Sequence, residues 1–426
     1  MTHPMIGFHT PAACDKPARP FPAHPQGVRL AMKPMNNLLS ATGTTVFTVM
    51  SALAVQHGAI NLGQGFPDYE GPEDVVRAAA DALLDNRNQY PPLTGVPELR
   101  QAVAAANRRF YGLEVDPNTE VVVTSGATEA LIACLMAVVN PGDEVVVFEP
   151  FYDTYLPMIR LLGGIPKLVR LTPPKWELPR AELAAAFSDR TKAVLLNSPM
   201  NPAGKVFTSA ELAYIAELVQ RHDAYAICDE VYEHLTFDGW KHIPLMTLPG
   251  MRERTMRIGS AGKTFSLTGW KVGYITADRS IAPNVAKAHQ NLTFTTAPNL
   301  QRAVAVGLGK DDAYFGSLSS ELQAKRDRLA EGLARLGFGV LPTQGSYFIT
   351  TDFSPLGFNG DDVAFCRHLT EAAKVTAIPV SAFYDGADAP KHYARFAFCK
   401  NDAVLDEALA RLTAWRENRA PNALAG

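Results

Sequence analysis

The feature of this sequence that most constrains its fold is a regular alternation, from about residue 44 onward, of short β-branched runs with amphipathic segments of helical length. Such an alternation is typical of a mostly parallel sheet, because each helix returns the chain to the end of the sheet from which the next strand starts. Seven segments have strand character: 120–123, 144–148, 165–169, 193–196, 224–228, 255–259 and 272–276. Segments 128–139, 209–221 and 281–291 have the pattern of helices between strands. The sequence therefore predicts an α/β fold.

The alternation of short strands with helices ends after Pro298. A long charged helix is predicted over 321–336, and strand segments follow near 346–350 and 394–398. This change is typical of a second, smaller α+β region, and 426 residues are enough to bury two unequal cores.

The first 35 or so residues have a different composition. Prolines recur at positions 4, 11, 17, 20, 22, 25 and 34, and Asp15 is the only acidic residue there. Because repeated prolines oppose a continuous helix or a central strand, residues 1–36 are predicted to form a flexible arm. A transit peptide is one alternative, and a true start at Met32 or Met35 is another.

Charge and cysteine content narrow the class of partner. The formal net charge is -3, from 40 basic and 43 acidic side chains, so no overall attraction to nucleic acid or to an anionic membrane is expected. The most apolar runs are of strand length, too short to cross a bilayer. No disulfide or metal site is predicted, because the five cysteines are widely spaced, at Cys14, Cys134, Cys228, Cys366 and Cys399. We expect a cytoplasmic protein that acts on small molecules.

Three segments place polar residues just after predicted strands. Residues 121–130 (VVVTSGATEA) combine a strand with a small-residue turn that opens a helix, the geometry of a phosphate site or simply of a tight turn. Asp229 and Tyr232 follow the strand at 224–228, where the aspartate could contact a ligand or only cap a helix. Asn201 lies in a proline turn and could be purely structural.

A fourth segment, residues 259–273 (GSAGKTFSLTGWKVG), decides between these alternatives. Lys263 lies between small residues just beyond a strand, where a neutral amine could attack an aldehyde. Ser260 and Lys271 add a hydroxyl and a cation suited to a phosphate. A lone loop lysine would carry little weight, but here it follows the other three segments in order.

Taken together, the segments resemble the fold-type-I pyridoxal-phosphate enzymes of the class I/II aminotransferase family, over about residues 44–411. Segments 61–68 (NLGQGFPD), 88–95 (NQYPPLTG) and 149–153 (EPFYD) resemble the branch that contains kynurenine and methionine aminotransferases. The resemblance implies that pyridoxal 5'-phosphate is the cofactor.

The resemblance assigns roles around the cofactor ring. Lys263 would be the covalent anchor and then the group that moves the substrate proton. Asp229 would keep the ring nitrogen protonated, so that the ring withdraws electrons from the substrate. Tyr232 and Asn201 would hydrogen-bond the 3'-oxygen of the ring, and Tyr152 would stack on its face.

Further roles concern the phosphate. Ala127, Thr128, Ser260 and Lys271 would hold it, with Tyr90 of the neighbouring subunit. Lys271 stands where the wider class has arginine, and it would bind as a point charge. Thr128 stands where kynurenine aminotransferases often have an aromatic residue.

The substrate would bind beside the cofactor. Arg395 would take the α-carboxylate in two parallel hydrogen bonds, and Gly65 would approach the same group through its backbone. Asn201 and Phe47 are also assigned to substrate binding. With Phe66, Tyr90 and Tyr152 as further pocket candidates, and no evident second arginine near Gly65, large neutral side chains are favoured over aspartate.

The resemblance implies a large αβα domain over residues 71–312, built on the seven-stranded sheet, and a small α+β domain over 37–70 and 313–426. It also implies a homodimer. The expected reaction is transamination between a methionine-, glutamine-, kynurenine- or phenylalanine-type amino acid and a 2-oxo acid. Three alternatives stay open: a cysteine-S-conjugate or cystathionine β-lyase, an N-succinyl-diaminopimelate aminotransferase, and a non-enzymatic transcriptional sensor, which would need a DNA-binding module that the arm is too short to provide.

Overall fold

A computed structural model describes residues 33–41, 43–85 and 88–419. Most of the predicted arm, residues 1–36, lies outside these residues, as does Cys14. The segment before residue 43 is a unit of its own, in which α1 (Asn37–Ala41) follows Asn36, whose Oδ1 accepts a hydrogen bond of 3.1 Å from Leu39 N.

The unit from residue 43 onward contains all the strands that the structure describes. In chain order they are β1 (Ile60–Asn61), β2 (Val121–Thr124), β3 (Glu144–Glu149), β4 (Ile165–Arg170), β5 (Thr191–Asn197), β6 (Tyr225–Asp229), β7 (Thr255–Ser260), β8 (Gly273–Ala277), β9 (Gly339–Val340), β10 (Phe348–Asp352), β11 (Val375–Thr376), β12 (Ile378–Pro379) and β13 (Tyr393–Ala397).

The same unit contains the remaining α-helices. They are α2 (Val46–His57), α3 (Glu73–Leu84), α4 (Pro97–Tyr111), α5 (Ala127–Val138), α6 (Tyr155–Leu161), α7 (Arg180–Ala186), α8 (Ser209–Arg221), α9 (Ala261–Thr264), α10 (Ala282–Leu292), α11 (Pro298–Leu308), α12 (Asp312–Arg335), α13 (Asp362–His368) and α14 (Asp402–Arg419).

The main sheet has seven strands in the order β2-β8-β7-β6-β5-β3-β4. Strand β8 is antiparallel to both of its neighbours, and all the other pairs are parallel. The predicted α/β fold with a mostly parallel seven-stranded sheet is confirmed. Each predicted strand of this sheet is present, with ends that differ by no more than two residues.

Strands of the main sheet other than the edge strand β4 are buried on both faces, which explains their sequence. Val145, Val146 and Val147 of β3 have no exposed surface, because helices cover the two faces of the sheet. A strand covered on both sides has continuous apolar residues rather than alternating ones, and such runs are what made these strands predictable. None of the helices in the described ranges is both long and apolar enough to cross a membrane.

Two smaller sheets lie outside the main one. Strands β12-β13-β10-β9 form an antiparallel sheet, and β1 pairs in parallel with β11, with Ile60 opposite Val375. The β1–β11 pair brings the segment before residue 70 beside the C-terminal part of the chain. The boundaries of the large and small domains, 71–312 against 37–70 and 313–426, stay a prediction.

The predicted helix over 321–336 was placed too late in the chain. Helix α12 begins at Asp312, and the side chain of Asp311 caps it by accepting a hydrogen bond of 3.0 Å from Tyr314 N. Its first turns contain Gly316 and three serines, residues of low helical propensity, which hid the start of the helix. The strand predicted near 346–350 is shifted to β10, because Ser346 has a φ of 67° and cannot extend a strand. The strand predicted near 394–398 is β13, which begins and ends one residue earlier.

Candidate active site

A cavity of about 510 Å³ opens where β5, β6 and β7 end. Carboxyl ends of parallel strands are where an open α/β sheet binds ligands, because loops from several strands meet there. Twelve residues predicted for the site line this cavity: Phe47, Gly65, Ala127, Thr128, Tyr152, Asn201, Asp229, Tyr232, Ser260, Lys263, Lys271 and Arg395. Phe66, a pocket candidate, lines it as well.

Tyr90 is the predicted site residue that does not line the cavity of its own chain. Its side chain is 82% exposed and packs edge-to-face on Phe294, with ring centroids 5.2 Å apart. A tyrosine so exposed is free to contact another molecule, so the predicted role in a neighbouring subunit stays a prediction.

The turn before α5 is built for close approach of backbone to an anion. Gly126 has a φ of 82° and provides no side-chain cap, so the first N–H groups of α5 are not capped by it. Lys271 lies next to this turn, since a Cβ added to Gly126 would be 3.3 Å from Lys271 Nζ. A Cβ on Gly273 would come within 2.6 Å of the Gly126 carbonyl carbon, which explains why strand β8 begins with glycine.

Lys263 lies on α9, the short helix that follows β7 directly. Its Nζ donates a hydrogen bond of 3.0 Å to Tyr347 Oη. Burial lowers the pKa of Lys263, while Cys399 and Asp229 act in the opposite direction. A lowered pKa makes the neutral, nucleophilic amine accessible near neutral pH.

Asp229 is the last residue of β6 and is 5% exposed. Its Oδ2 accepts a hydrogen bond of 2.6 Å from Tyr155 Oη, and Asn197 Nδ2 fixes the local backbone by donating to Asp229 O at 2.8 Å. Burial raises the pKa of Asp229, and the hydrogen bond from Tyr155 opposes that rise. A carboxylate in this position is best stabilised by a cationic partner in the cavity.

Arg395, in the centre of β13, is 1% exposed although it lines the cavity. Its Nη1 donates to Asn201 Oδ1 at 2.8 Å and its Nη2 to Gly63 O at 2.7 Å. Its Nε is buried without a hydrogen-bond partner in the described part of the chain, and burial lowers the pKa of Arg395 to about 10. An incompletely paired guanidinium at a cavity wall is suited to bind a carboxylate.

The decisive comparison is with protein families. The sequence profile of the family described as "Aminotransferase class I and II" matches residues 57–412. The chain belongs to this family. It is therefore a pyridoxal-phosphate-dependent aminotransferase of fold type I, and the enzyme prediction is confirmed.

Individual relatives are named for several different aminotransferase activities. A probable N-succinyldiaminopimelate aminotransferase of Mycobacterium tuberculosis is 46% identical, over 88% of this chain and 97% of its own. A kynurenine–oxoglutarate transaminase of Dictyostelium discoideum is 40% identical, over 87% and 93%. A solved Escherichia coli structure reported as a methionine aminotransferase has a TM-score of 0.87 at 41% identity, covering 90% of this chain and all of that one. The predicted branch is confirmed.

The cavity of this aminotransferase has the chemistry that pyridoxal phosphate requires. Lys271 and the uncapped start of α5 suit the phosphate, Lys263 offers an amine for the aldehyde, and the buried carboxyl of Asp229 suits a protonated ring nitrogen. Arg395, whose Nε has no hydrogen-bond partner among the described residues, lines the same cavity and suits a substrate carboxylate. The residues present therefore fit the cofactor.

The sequence did not reveal several residues of the aminotransferase site. Tyr155 could have been found, because it lies one helical turn after Tyr152 at the start of α6. Tyr347 and Phe348 gave no signal, because they belong to a part of the chain without a recognisable motif. Phe348, the first residue of β10, lines the cavity, and Tyr347 just before it accepts a hydrogen bond from Lys263.

Proposed function

We propose that this aminotransferase takes its amino group from a large amino acid with a neutral side chain, of the methionine, glutamine, kynurenine or phenylalanine type, and passes it to a 2-oxo acid. The main support for this substrate class is the set of basic side chains in the cavity. The basic side chains among the described residues that line the cavity are Lys263, Lys271 and Arg395. Cofactor aldehyde, phosphate and substrate α-carboxylate account for these three, and no further cation remains for an acidic side chain.

The walls of the cavity support the same substrate class. Phe47, Phe66, Leu131 and Phe348 provide apolar surface for a large side chain. Asp153 places a carboxyl group in the lining. Burial lowers the pKa of Arg395, and the negative charge of Asp153 acts in the opposite direction. A second carboxylate on the substrate would be repelled by Asp153 rather than bound.

The chemistry follows from the roles of three residues. Bound pyridoxal phosphate supplies an aldehyde and a ring that accepts the electron pair released at the substrate α-carbon. With the cofactor bound, the Lys263 amine would remove the proton from the substrate α-carbon and would return it to the carbon that had carried the cofactor's aldehyde. Asp229 would stabilise the protonated ring nitrogen of the bound cofactor, and Arg395 would hold the substrate α-carboxylate beside Lys263.

The remaining predicted residues complete this proposal. Tyr232 and Asn201 would hydrogen-bond the 3'-oxygen, and Tyr152 would stack on the ring. Ala127, Thr128, Ser260 and Lys271 would bind the phosphate. Gly65 has no side chain because a Cβ there would come within 2.4 Å of Phe348 Cζ.

A second candidate is supported by the 46% identity to the probable N-succinyldiaminopimelate aminotransferase. Its substrate carries further carboxylates, for which the described cavity offers no additional cation. A β-lyase activity also remains a candidate, because removal of the α-proton precedes either reprotonation or loss of a β-substituent.

A half-reaction screen tests the proposal. Each amino acid is mixed with the purified holoenzyme without an oxo acid, and conversion of the cofactor to its amine form is followed by absorbance. We expect methionine, glutamine, kynurenine or phenylalanine to convert the enzyme fastest. Faster conversion by N-succinyl-diaminopimelate would overturn the substrate class, and sustained pyruvate release from a β-substituted amino acid would establish the lyase.

We also propose that the enzyme is a homodimer in the cytoplasm. Support for the dimer is the exposed pair of Tyr90 and Phe294, two aromatic rings that a monomer would leave in water. Support for the cytoplasm is that the cysteines in the described residues, Cys134, Cys228, Cys366 and Cys399, are free and buried.

A further inference from the structure

We propose that Tyr347 is a positioning residue of the aminotransferase, whose hydroxyl holds the amine of Lys263 in the orientation needed for proton transfer and links it to the loop that meets the substrate carboxylate. The inference rests on the proposed role of Lys263 as the proton-transfer group.

Tyr347 is fixed from several sides. It is 1% exposed, and its ring packs edge-to-face on Tyr232 and Phe348, with centroids 5.0 Å and 4.8 Å away. Lys263 Nζ lies 5.6 Å from the centroid of the Tyr347 ring. A ring packed in this way has little freedom to rotate, so the position of its hydroxyl is determined by the fold.

The hydrogen-bond directions at this hydroxyl follow from its single proton. Tyr347 Oη donates at 2.6 Å to Gly65 O, a carbonyl that can only accept. Its lone pairs are then left to accept the 3.0 Å hydrogen bond from Lys263 Nζ. Burial raises the pKa of Tyr347, so the hydroxyl keeps its proton and this arrangement is stable across neutral pH.

The same hydroxyl connects Lys263 to the carboxylate-binding side of the cavity. Gly65 lies two residues beyond Gly63, whose carbonyl accepts from Arg395 Nη2 at 2.7 Å. Lys263 and Arg395 therefore meet the same short backbone segment, one through Tyr347 and the other directly. This fixes the distance between the amine and the group that binds the substrate.

Other charged and titratable groups face Lys263 and must be considered in a pH measurement. They are Asp229 on β6, Lys271 after α9, Arg395 on β13, Cys399 just beyond β13, and Tyr232, whose ring centroid lies 5.9 Å from Lys263 Nζ. Each is retained in a Tyr347→Phe variant, so a change in the titration of Lys263 would report the lost hydroxyl.

The test uses Tyr347→Phe and, as the matched control, Tyr384→Phe. Tyr384 is also a buried tyrosine, but its hydroxyl has no hydrogen-bond partner within the described residues. The first readout is the pKa of Lys263 in the cofactor-free enzyme, from the pH dependence of its acylation by acetic anhydride. A neutral oxygen that accepts from Lys263 stabilises its charged form, so we expect Tyr347→Phe to lower this pKa by about one unit and Tyr384→Phe to leave it unchanged.

The second readout is steady-state kinetics of the holoenzyme. Tyr347→Phe should reduce kcat by roughly 10- to 100-fold with KM changed less than about threefold, because substrate binding does not use the hydroxyl. An unchanged pKa together with an unchanged kcat would overturn the proposal. A loss of stability or cofactor affinity with normal titration of Lys263 would show a merely structural role and would overturn it as well.

If Tyr347→Phe does not fold, the proposal is tested with 3-fluorotyrosine at position 347. It keeps the ring and the hydroxyl but makes the oxygen a weaker acceptor, so the pKa of Lys263 should fall by a smaller amount, and no fall would reject the proposal. Borohydride labelling of Lys263 in the wild-type holoenzyme is measured separately. Absence of that label would reject the proposed function, whereas the titration of the cofactor-free enzyme would still report on Tyr347.

Discussion

At the scale of the residue, three ionisable side chains of the site, all buried or partly buried, depend on partners from distant parts of the chain. Lys263 donates to Tyr347, Asp229 accepts from Tyr155, and Arg395 donates to Asn201. An unpaired buried charge is costly, so each partner both stabilises the fold and fixes the orientation of a reactive group. Substitutions of these side chains should therefore separate binding from chemistry.

Lys263→Ala should abolish multiple turnover and the covalent attachment of the cofactor, because no other lysine is proposed to reach the aldehyde. Borohydride should fix the cofactor to the Lys263 peptide of the wild type, which mass spectrometry of a digest will show. Lys175→Ala, at an exposed lysine, is the control and should behave as the wild type. A reducible imine that persists with turnover in Lys263→Ala would contradict the assignment.

Arg395→Ala should weaken kcat/KM for amino and oxo acids by about 2 kcal/mol or more, roughly 30-fold, while cofactor remains bound. The reason is loss of a planar, charge-assisted pair with the α-carboxylate. Arg395→Lys keeps the charge but not the two parallel donors, so it should recover only part of the loss. Stopped-flow half-reactions and cofactor absorbance measure the two effects, and normal kcat/KM in Arg395→Ala would exclude the residue from the substrate site.

At the scale of the element, the site depends on how closely strand β8 approaches the turn that starts α5. Gly273 begins β8 opposite Thr124, the last residue of β2, and Gly126 follows two residues later. The two glycines let backbone approach backbone at the proposed phosphate position. A side chain at Gly273 would have to displace the turn at Gly126, because the atoms it would meet there belong to the backbone and not to a flexible side chain.

Gly273→Ala should weaken cofactor affinity and lower stability, because its Cβ would lie 2.6 Å from the Gly126 carbonyl carbon and 2.8 Å from Ala127 N. We expect at least a tenfold increase in the Kd of pyridoxal phosphate and a lower melting temperature in the cofactor-free enzyme. Gly316→Ala is the matched control, since it lies in helix α12 with no atom within 4 Å of the added Cβ. That variant should be neutral or stabilised by about 0.5–1 kcal/mol. Equal cofactor affinity in Gly273→Ala and wild type would refute the packing argument.

At the scale of the whole molecule, the proposed dimer depends on Tyr90. Tyr90 is exposed in the single chain and does not line the cavity. Its predicted contact with a phosphate would therefore have to be made in another subunit. If this is so, each site needs two chains, and the enzyme is active only as an oligomer.

Subunit mixing tests this dependence. Lys263→Ala and Tyr90→Ala should each be impaired as homodimers. If Tyr90 acts on the partner's site, a mixed dimer has one site with both substitutions and one site with neither. Activity should then return to a sizeable fraction of the wild-type value. Confirmed mixed dimers without recovery would show that Tyr90 does not act across the interface.

The sequence by itself determined the main sheet and twelve of the residues that line the cavity. Continuous apolar runs mark strands buried on both faces, and polar residues at the ends of those strands converge because parallel strands end at the same edge. Lys263, Asp229 and Thr128 were predictable for this reason, and their roles came from a family resemblance. The start of α12 was missed because its cap, Asp311, precedes residues of low helical propensity.

Only the tertiary structure decided which side chains complete the site. Tyr347 is 84 residues from Lys263 in the chain, and Gly63 is 332 residues from Arg395. No local pattern encodes such pairs, because their distance is set by how the smaller sheets are placed beside the ends of the main strands. A sequence motif reports groups brought together by one strand and one turn, whereas the orientation of Lys263 and the pairing of Arg395 depend on packing across the whole fold.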